Sequence, residues 1–310
     1  GTTVSHAYTD NGVYTVTLTV TDNEGATAKA TATKTILNRP PVASFTESAT
    51  IVLTGEVITF NASDSYDPDG VIISYQWNFG DGNITTVTNP IITHVYADNG
   101  TYTVTLTVID NDNATESISA VKTVLNRAPV AIFTESATTV YTLETIAFNA
   151  SASYDPDGSI VSYQWNFGDG NITVVTYPII THAYAENGTY TVTLTINDND
   201  GATSTASSTK TVVNRPPVAS FTESATTVFT GELIYFNASN SYDLDGSIVS
   251  YFWTFGDGAN VTGAAVSHAY SDNGIYTVTL TVTDNDGATA STSATKTVLN
   301  RSPVASFTES

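Results

Sequence analysis

The chain repeats itself at a fixed interval, and that periodicity limits the fold more than any local pattern. Trp77, Trp165 and Trp253 stand about 88 residues apart, and Arg39, Arg127 and Arg215 keep the same step. The phrase SYDPDGVIISYQWNFGDG at 65–82 returns as SYDPDGSIVSYQWNFGDG at 153–170 and as SYDLDGSIVSYFWTFGDG at 241–258. A step of that length suffices for one small module with its own core, so the 310 residues read as a tandem array rather than as one fold. The expected modules are 40–126, 128–214 and 216–300. Residues 1–38 match only the back part of a module and 302–310 only its first strand, as expected of a window on a longer repetitive protein.

Within a module the hydrophobic period is two. In GTYTVTLTV (100–108), Tyr102, Val104, Leu106 and Val108 face one way and Thr101, Thr103, Thr105 and Thr107 the other. Threonine is β-branched and polar, which suits the wet face of a half-buried strand. No stretch has helical periodicity. Strands are expected near 42–48, 56–62, 71–79, 85–88, 101–109 and 115–124, with a short one before His94, separated by the turn signals DPDG, FGDG, DNG and DND. Short strands at this spacing make an all-β chain of antiparallel two-sheet sandwiches. Tyr75, Trp77 and Phe79 share one strand face, which assigns the tryptophan to the core. The FGDG glycines permit a tight hairpin or bulge, with Asp81 bonding its own backbone.

Composition excludes several partners. A net charge of −21 repels nucleic acid and anionic membrane surfaces. No apolar run of about 18 residues is present to span a bilayer. The chain has no cysteine, so disulfides do not staple these small cores, and metal ions are one candidate stabiliser. An acidic, threonine-rich, lysine-poor chain suits an extracellular or cell-surface setting. Catalysis finds no support. His6, His94, His182 and His268 recur in one H-x-Y slot per repeat without a nucleophile, as scaffold residues bonding a turn would, and the carboxylates belong to turns rather than a cleft. The chain is not expected to be an enzyme.

The run SYQWNFGDG followed by THAY and NGTYTVTLTINDNDG resembles the polycystic kidney disease (PKD) domain, and the likeness covers essentially the whole chain. The H-x-Y pairs His94/Tyr96, His182/Tyr184 and His268/Tyr270 fall in order between the W-x-F-G-D-G run and the G-x-Y-T-V strand. The resemblance implies tandem immunoglobulin-like β-sandwiches of an extracellular protein, of the kind common in archaeal surface proteins and as accessory modules of secreted bacterial enzymes.

The acidic turns have two readings. They are turn aspartates, or they are oxygen ligands for a hard cation, since D-x-D places two carboxylates on one side of a tight turn. Each module has such a pair, and a second acidic loop follows its TVTLT strand: IDND (109–112), NDND (197–200) or TDND (283–286). In an immunoglobulin-like sandwich these two loops share the pole at which the incoming LNRPP linker arrives. Some PKD-like domains bind calcium with such a set. The sets expected here are Asn38, Asp67, Asp69 and Asp110; Asn126, Asp155, Asp157 and Asp198; and Asn214, Asp243, Asp245 and Asp284. The loop is not an EF-hand, because position 12 from Asp155 is Asn166 and not glutamate. Leu244 replaces the turn proline in the third module, and Asn113 replaces the loop glycine in the first.

N-glycosylation sequons stand at Asn61, Asn83, Asn99, Asn113, Asn149, Asn171, Asn187, Asn237 and Asn260. The function expected from the sequence is structural: a rod- or filament-forming surface array, self-associating through repeated side surfaces and stiffened by calcium at its joints. The alternative is a spacer or an adhesive, carbohydrate- or protein-binding accessory array of a secreted enzyme or adhesin. That reading wants a row of exposed aromatics, for which Tyr141, Tyr177 and Phe229 are the few candidates.

Overall fold

The computed structural model describes residues 2–308. They divide into two compact units. One holds the residues up to Val130 together with Tyr154–Val161 and Asn197–Ser204; the other holds the remainder.

The first unit opens with a hairpin of β1 (Gly12–Thr21) and β2 (Thr27–Ile36). The first complete module follows, as β3 (Thr46–Glu47), β4 (Ile51–Leu53), β5 (Val57–Asn61), β6 (Ile72–Asn78), β7 (Ile84–Val87), β8 (Ile91–Val95), β9 (Gly100–Asp110) and β10 (Thr115–Leu125). One sheet has the order β3-β5-β8 and the other β4-β10-β9-β6-β7. Every pairing is antiparallel except β4 with β10, which is parallel.

The single first strand expected over 42–48 is broken. Val42 makes an isolated bridge to Tyr66, β3 joins one sheet, and the chain crosses over Ser48–Thr50 to join the other as β4. A first segment that serves both sheets closes the sandwich edge. It sets Phe45 against Trp77, with ring centroids 5.2 Å apart, and buries Val52 from the opposite side.

The alternation in β9 is realised as read. Val104, Leu106 and Val108 are wholly buried with Trp77, Phe60 and Ile58. The facing threonines bond across to β10, Thr105 to Ser119 and Thr107 to Ser117 at 2.8 Å each.

The FGDG turn is held by the core below it. Gly80 has φ +84°, and a Cβ there would lie 2.7 Å from the Thr103 carbonyl oxygen, so backbone room and handedness both demand glycine. The Asp81 carboxylate accepts the Asn83 N–H at 2.9 Å, and its other oxygen meets His94 Nε2 at 2.7 Å. The His94 ring stacks on Phe79 at 3.9 Å, and the buried Tyr96 hydroxyl donates to the Phe79 carbonyl at 2.9 Å. The histidine is thus a turn clamp. Residues 128–214 and 216–300 carry the same eight strands, and their His182–Asp169 and His268–Asp257 pairs are also 2.7 Å apart.

This clamp has a pH signature. Burial opposes ionisation of Asp81, yet the Asn83 N–H and His94 hold its carboxyl below the usual 3.8, and Asp169 and Asp257 follow suit. A carboxylate with a depressed folded-state pKa stabilises the fold above 3.8 and loses that contribution as pH falls through the lowered value. Asp169→Asn is therefore expected to destabilise its module by about 1–2 kcal/mol near neutrality and by progressively less as pH falls through the lowered value, as read by denaturant melts.

Candidate metal centre

The D-x-D turn leaves β5 through a tight corner, with Ser65 N–H bonded to the Ala62 carbonyl at 2.9 Å and Tyr66 bridged to Val42. Asp67 and Asp69 then fold toward each other, the Asp69 N–H donating to Asp67 Oδ1 at 3.4 Å. The second acidic loop is anchored by a buried aspartate. Asp110 Oδ1 accepts the N–H groups of Asp112 and Ala114 at 2.8 Å each, and Oδ2 accepts Asn38 Nδ2–H at 2.8 Å. Asp198 with Asn126 and Asp284 with Asn214 repeat this linker-to-loop bond at 2.8 Å.

Asn111 joins the two loops, its Oδ1 accepting the Val71 N–H at 2.8 Å. Asn199 and Asn285 do the same for Ser159 and Ser247 at 2.7 Å. A Cβ on Gly70 would press on both Asn111 Oδ1 and Asp67 Oδ2, the latter at 2.6 Å, so a larger residue would displace these oxygens.

All twelve expected residues therefore lie at three poles, but they divide in role. Asn38 and Asp110, with their repeats, tie the incoming linker to the second loop. The D-x-D pairs keep oxygens that nothing satisfies. Among the described residues Asp67 Oδ2 and Asp69 Oδ1 are buried without a hydrogen-bond donor. So are Asn126 Oδ1, Asp155 Oδ2 and Asp157 Oδ1 in the second pole, and both Asp243 oxygens with Asp245 Oδ1 in the third.

Electrostatics sharpen the point. Burial pushes the Asp67 carboxyl above the usual range, and the charges of Asp110 and Asp69 push it the same way. Asp155 is raised by burial, Asp157 and Asp198, and Asp243 by burial, Asp245 and Asp284. Buried carboxylate oxygens without donors are costly unless a cation lies beside them. Oxygen-only donors suit a hard cation such as calcium better than a soft one. The described residues form no ready-closed group of three or more Asp, Glu, His or Cys side chains around one point. Any bound ion would thus draw on amide oxygens and solvent as well as on the D-x-D pair.

Three contributors escape sequence reading. Arg39, Arg127 and Arg215 each give a backbone N–H to the second D-x-D aspartate, at 3.2, 2.9 and 3.0 Å. Thr54 Oγ1 donates to Asp157 Oδ2 and Thr142 Oγ1 to Asp245 Oδ2, each across to the next module. The Arg127 and Arg215 guanidiniums donate through Nε to the carbonyls of those same threonines at 2.8 Å.

Comparison with known proteins places this architecture. The family model described as PKD domain matches residues 1–36, 38–124, 126–213 and 214–299. The chain belongs to the PKD domain family. Its modules are immunoglobulin-like β-sandwiches in tandem. The human dyslexia-associated protein KIAA0319 is 32% identical over 316 residues, which cover 92% of this chain and 29% of that protein. Collagenase ColA of Clostridium perfringens is 35% identical over 146 residues, 47% of this chain and 12% of the collagenase. The PKD1 domain of Vibrio anguillarum Epp is 39% identical with a TM-score of 0.26, and the match covers 29% of this chain and 100% of that domain. The chain thus spans less than a third of the length of these curated relatives. Among the described residues no helix is long and apolar enough to cross a membrane.

Proposed function

We propose that this PKD array is an extracellular or cell-surface structural element whose joints are held by calcium, its work being to space or project what it is attached to. The observation that carries this reading is the set of buried, donor-free carboxylate oxygens at each pole that receives a linker. Bound calcium would supply the positive charge that offsets their mutual repulsion, with Asp67 and Asp69, Asp155 and Asp157, and Asp243 and Asp245 as its carboxylate ligands. Asn126 would add an amide oxygen. The chain's own part is to fix the linker: Asn126 and the Arg127 N–H bind it to both acidic loops, and proline at 40, 41, 129, 216 and 217 stiffens it.

PKD modules are non-catalytic, and no enzymatic role is proposed. Identical modules present the same side surface at regular steps, which supports self-association into a filament or surface array. Eight of the nine sequon asparagines are exposed, and only Asn61 is half-buried, so glycans are sterically tolerated there. The spacer or adhesive reading draws on the shared sequence with collagenases. Against a flat aromatic binding row, Tyr141 is engaged by its own chain, its ring 5.7 Å from the Arg215 guanidinium carbon.

Small-angle scattering and melting of the chain in calcium and in chelator test the central reading. Calcium is expected to lengthen the maximum dimension and raise the melting temperature. Unchanged curves of both kinds would overturn it.

A further inference from the structure

We propose that each cation site following a complete module is finished by that preceding module, so that ion binding and the docking of neighbours are one linked equilibrium. This rests on the calcium reading above. It adds Thr54 and Thr142 as positioning residues, with Arg127 and Arg215 as the straps that hold them.

At the first joint three groups close a ring. The Arg127 N–H and the Thr54 hydroxyl both donate to Asp157 Oδ2, while Arg127 Nε–H donates back to the Thr54 carbonyl. Asp157 Oδ1 is left buried and donor-free, beside Asp155 in the same turn. The ring therefore fixes one carboxylate oxygen and presents the other. Thr142, Arg215 and Asp245 form the same ring at the second joint. Each threonine is anchored to its own module first, the Thr54 N–H bonding the Leu125 carbonyl at 3.1 Å and the Thr142 N–H the Val213 carbonyl at 3.0 Å. The hydroxyl thus arrives on a rigid turn.

Thr54 is 2% exposed and Thr142 1%, so both hydroxyls meet their aspartates away from bulk water. At the first pole Asp69 Oδ2 has the Arg39 N–H at 3.2 Å, and no threonine bond to it is present among the described residues.

By linkage, whatever docking adds to ion affinity, the ion adds to docking. The sites at Asp155/Asp157 and Asp243/Asp245 should then weaken when the threonine hydroxyl across the joint is removed. The experiment is calcium titration calorimetry of the full chain, with Thr142→Val and Thr142→Ser variants whose folding is checked by tryptophan fluorescence. Thr142→Val is expected to weaken the Asp243/Asp245 site by roughly tenfold, the scale of one hydrogen bond to a charged group. Thr142→Ser, which keeps the hydroxyl, is expected to bind like the parent. Calcium affinities unchanged in Thr142→Val would overturn the inference and leave the calcium reading standing. No calcium heat in the parent chain would overturn the calcium reading itself, and this inference with it.

Discussion

Glutamine in place of Glu223 is expected to destabilise residues 216–300 by about 3–5 kcal/mol, although it deletes only a charge. The reason is Lys296, whose side chain is wholly buried on the last strand and ion-paired with Glu223 on the first. Lys122 with Glu47 and Lys210 with Glu135 repeat the arrangement, each lysine at 0% exposure. An ammonium carries three donors, and among the described residues Lys296 has besides Glu223 only the Thr295 carbonyl at 3.1 Å. Burial lowers the Lys122 pKa, a cost that the Glu47 carboxylate beside it opposes. Removing the carboxylate forces the amine to discharge or to stay charged and unpaired. Replacing both partners together, Lys296→Met with Glu223→Leu, removes that penalty and is expected to recover most of the lost stability. Denaturant melts of the full chain, with the module followed by hydrogen exchange of its 274–284 strand, separate the outcomes. A Glu223→Gln variant as stable as the parent would refute the argument.

The tryptophans offer a second large effect with a discriminating detail. Trp253→Ala should cost about 3–5 kcal/mol, since the ring is fully buried against Phe221 and Phe236, with centroids 5.1 and 5.5 Å away. The same holds at Trp77 and Trp165. Substitution by phenylalanine should separate them. Trp253 Nε1–H donates to the Gly263 carbonyl at 2.9 Å, whereas Trp77 and Trp165 Nε1 are buried without an acceptor among the described residues. Trp253→Phe therefore loses a hydrogen bond that the other two never make, and should cost about 1 kcal/mol more than Trp77→Phe or Trp165→Phe. Equal costs at all three positions would count against this difference.

That detail was visible in the sequence only as a loop shorter by two residues before His268; its consequence for the indole was not. What periodicity reveals is what local chemistry dictates. The inward set Val104, Leu106 and Val108 and the glycines of FGDG were legible because strand alternation and positive φ act within a few residues. The acidic loops were legible as one pole because turn aspartates and sandwich topology fix both ends. Thr54 was not, because it lies in a different module from Asp157 and serves as an ordinary turn residue in its own. The crossing from β3 to β4 was hidden for a related reason. Apolar side chains recur across this segment at Val42, Ala43, Phe45, Ala49, Ile51, Val52 and Leu53, and only the competition of two sheets for them decides where the strand breaks. The buried lysines were equally hidden, since a lysine in an alternating strand reads as a solvent-facing position until its partner on the first strand is known.

An ion at each pole, as proposed, would bind loops and linker into one joint. Hydrogen–deuterium exchange of the full chain, with and without calcium, reads this at the residues concerned. Calcium is predicted to slow exchange in the acidic turns 66–71, 154–159 and 242–247 and in the loops 109–114, 197–202 and 283–288. The central strands around Trp77, Trp165 and Trp253 should exchange equally slowly in both conditions. Identical exchange of the acidic loops in calcium and in chelator would contradict the account.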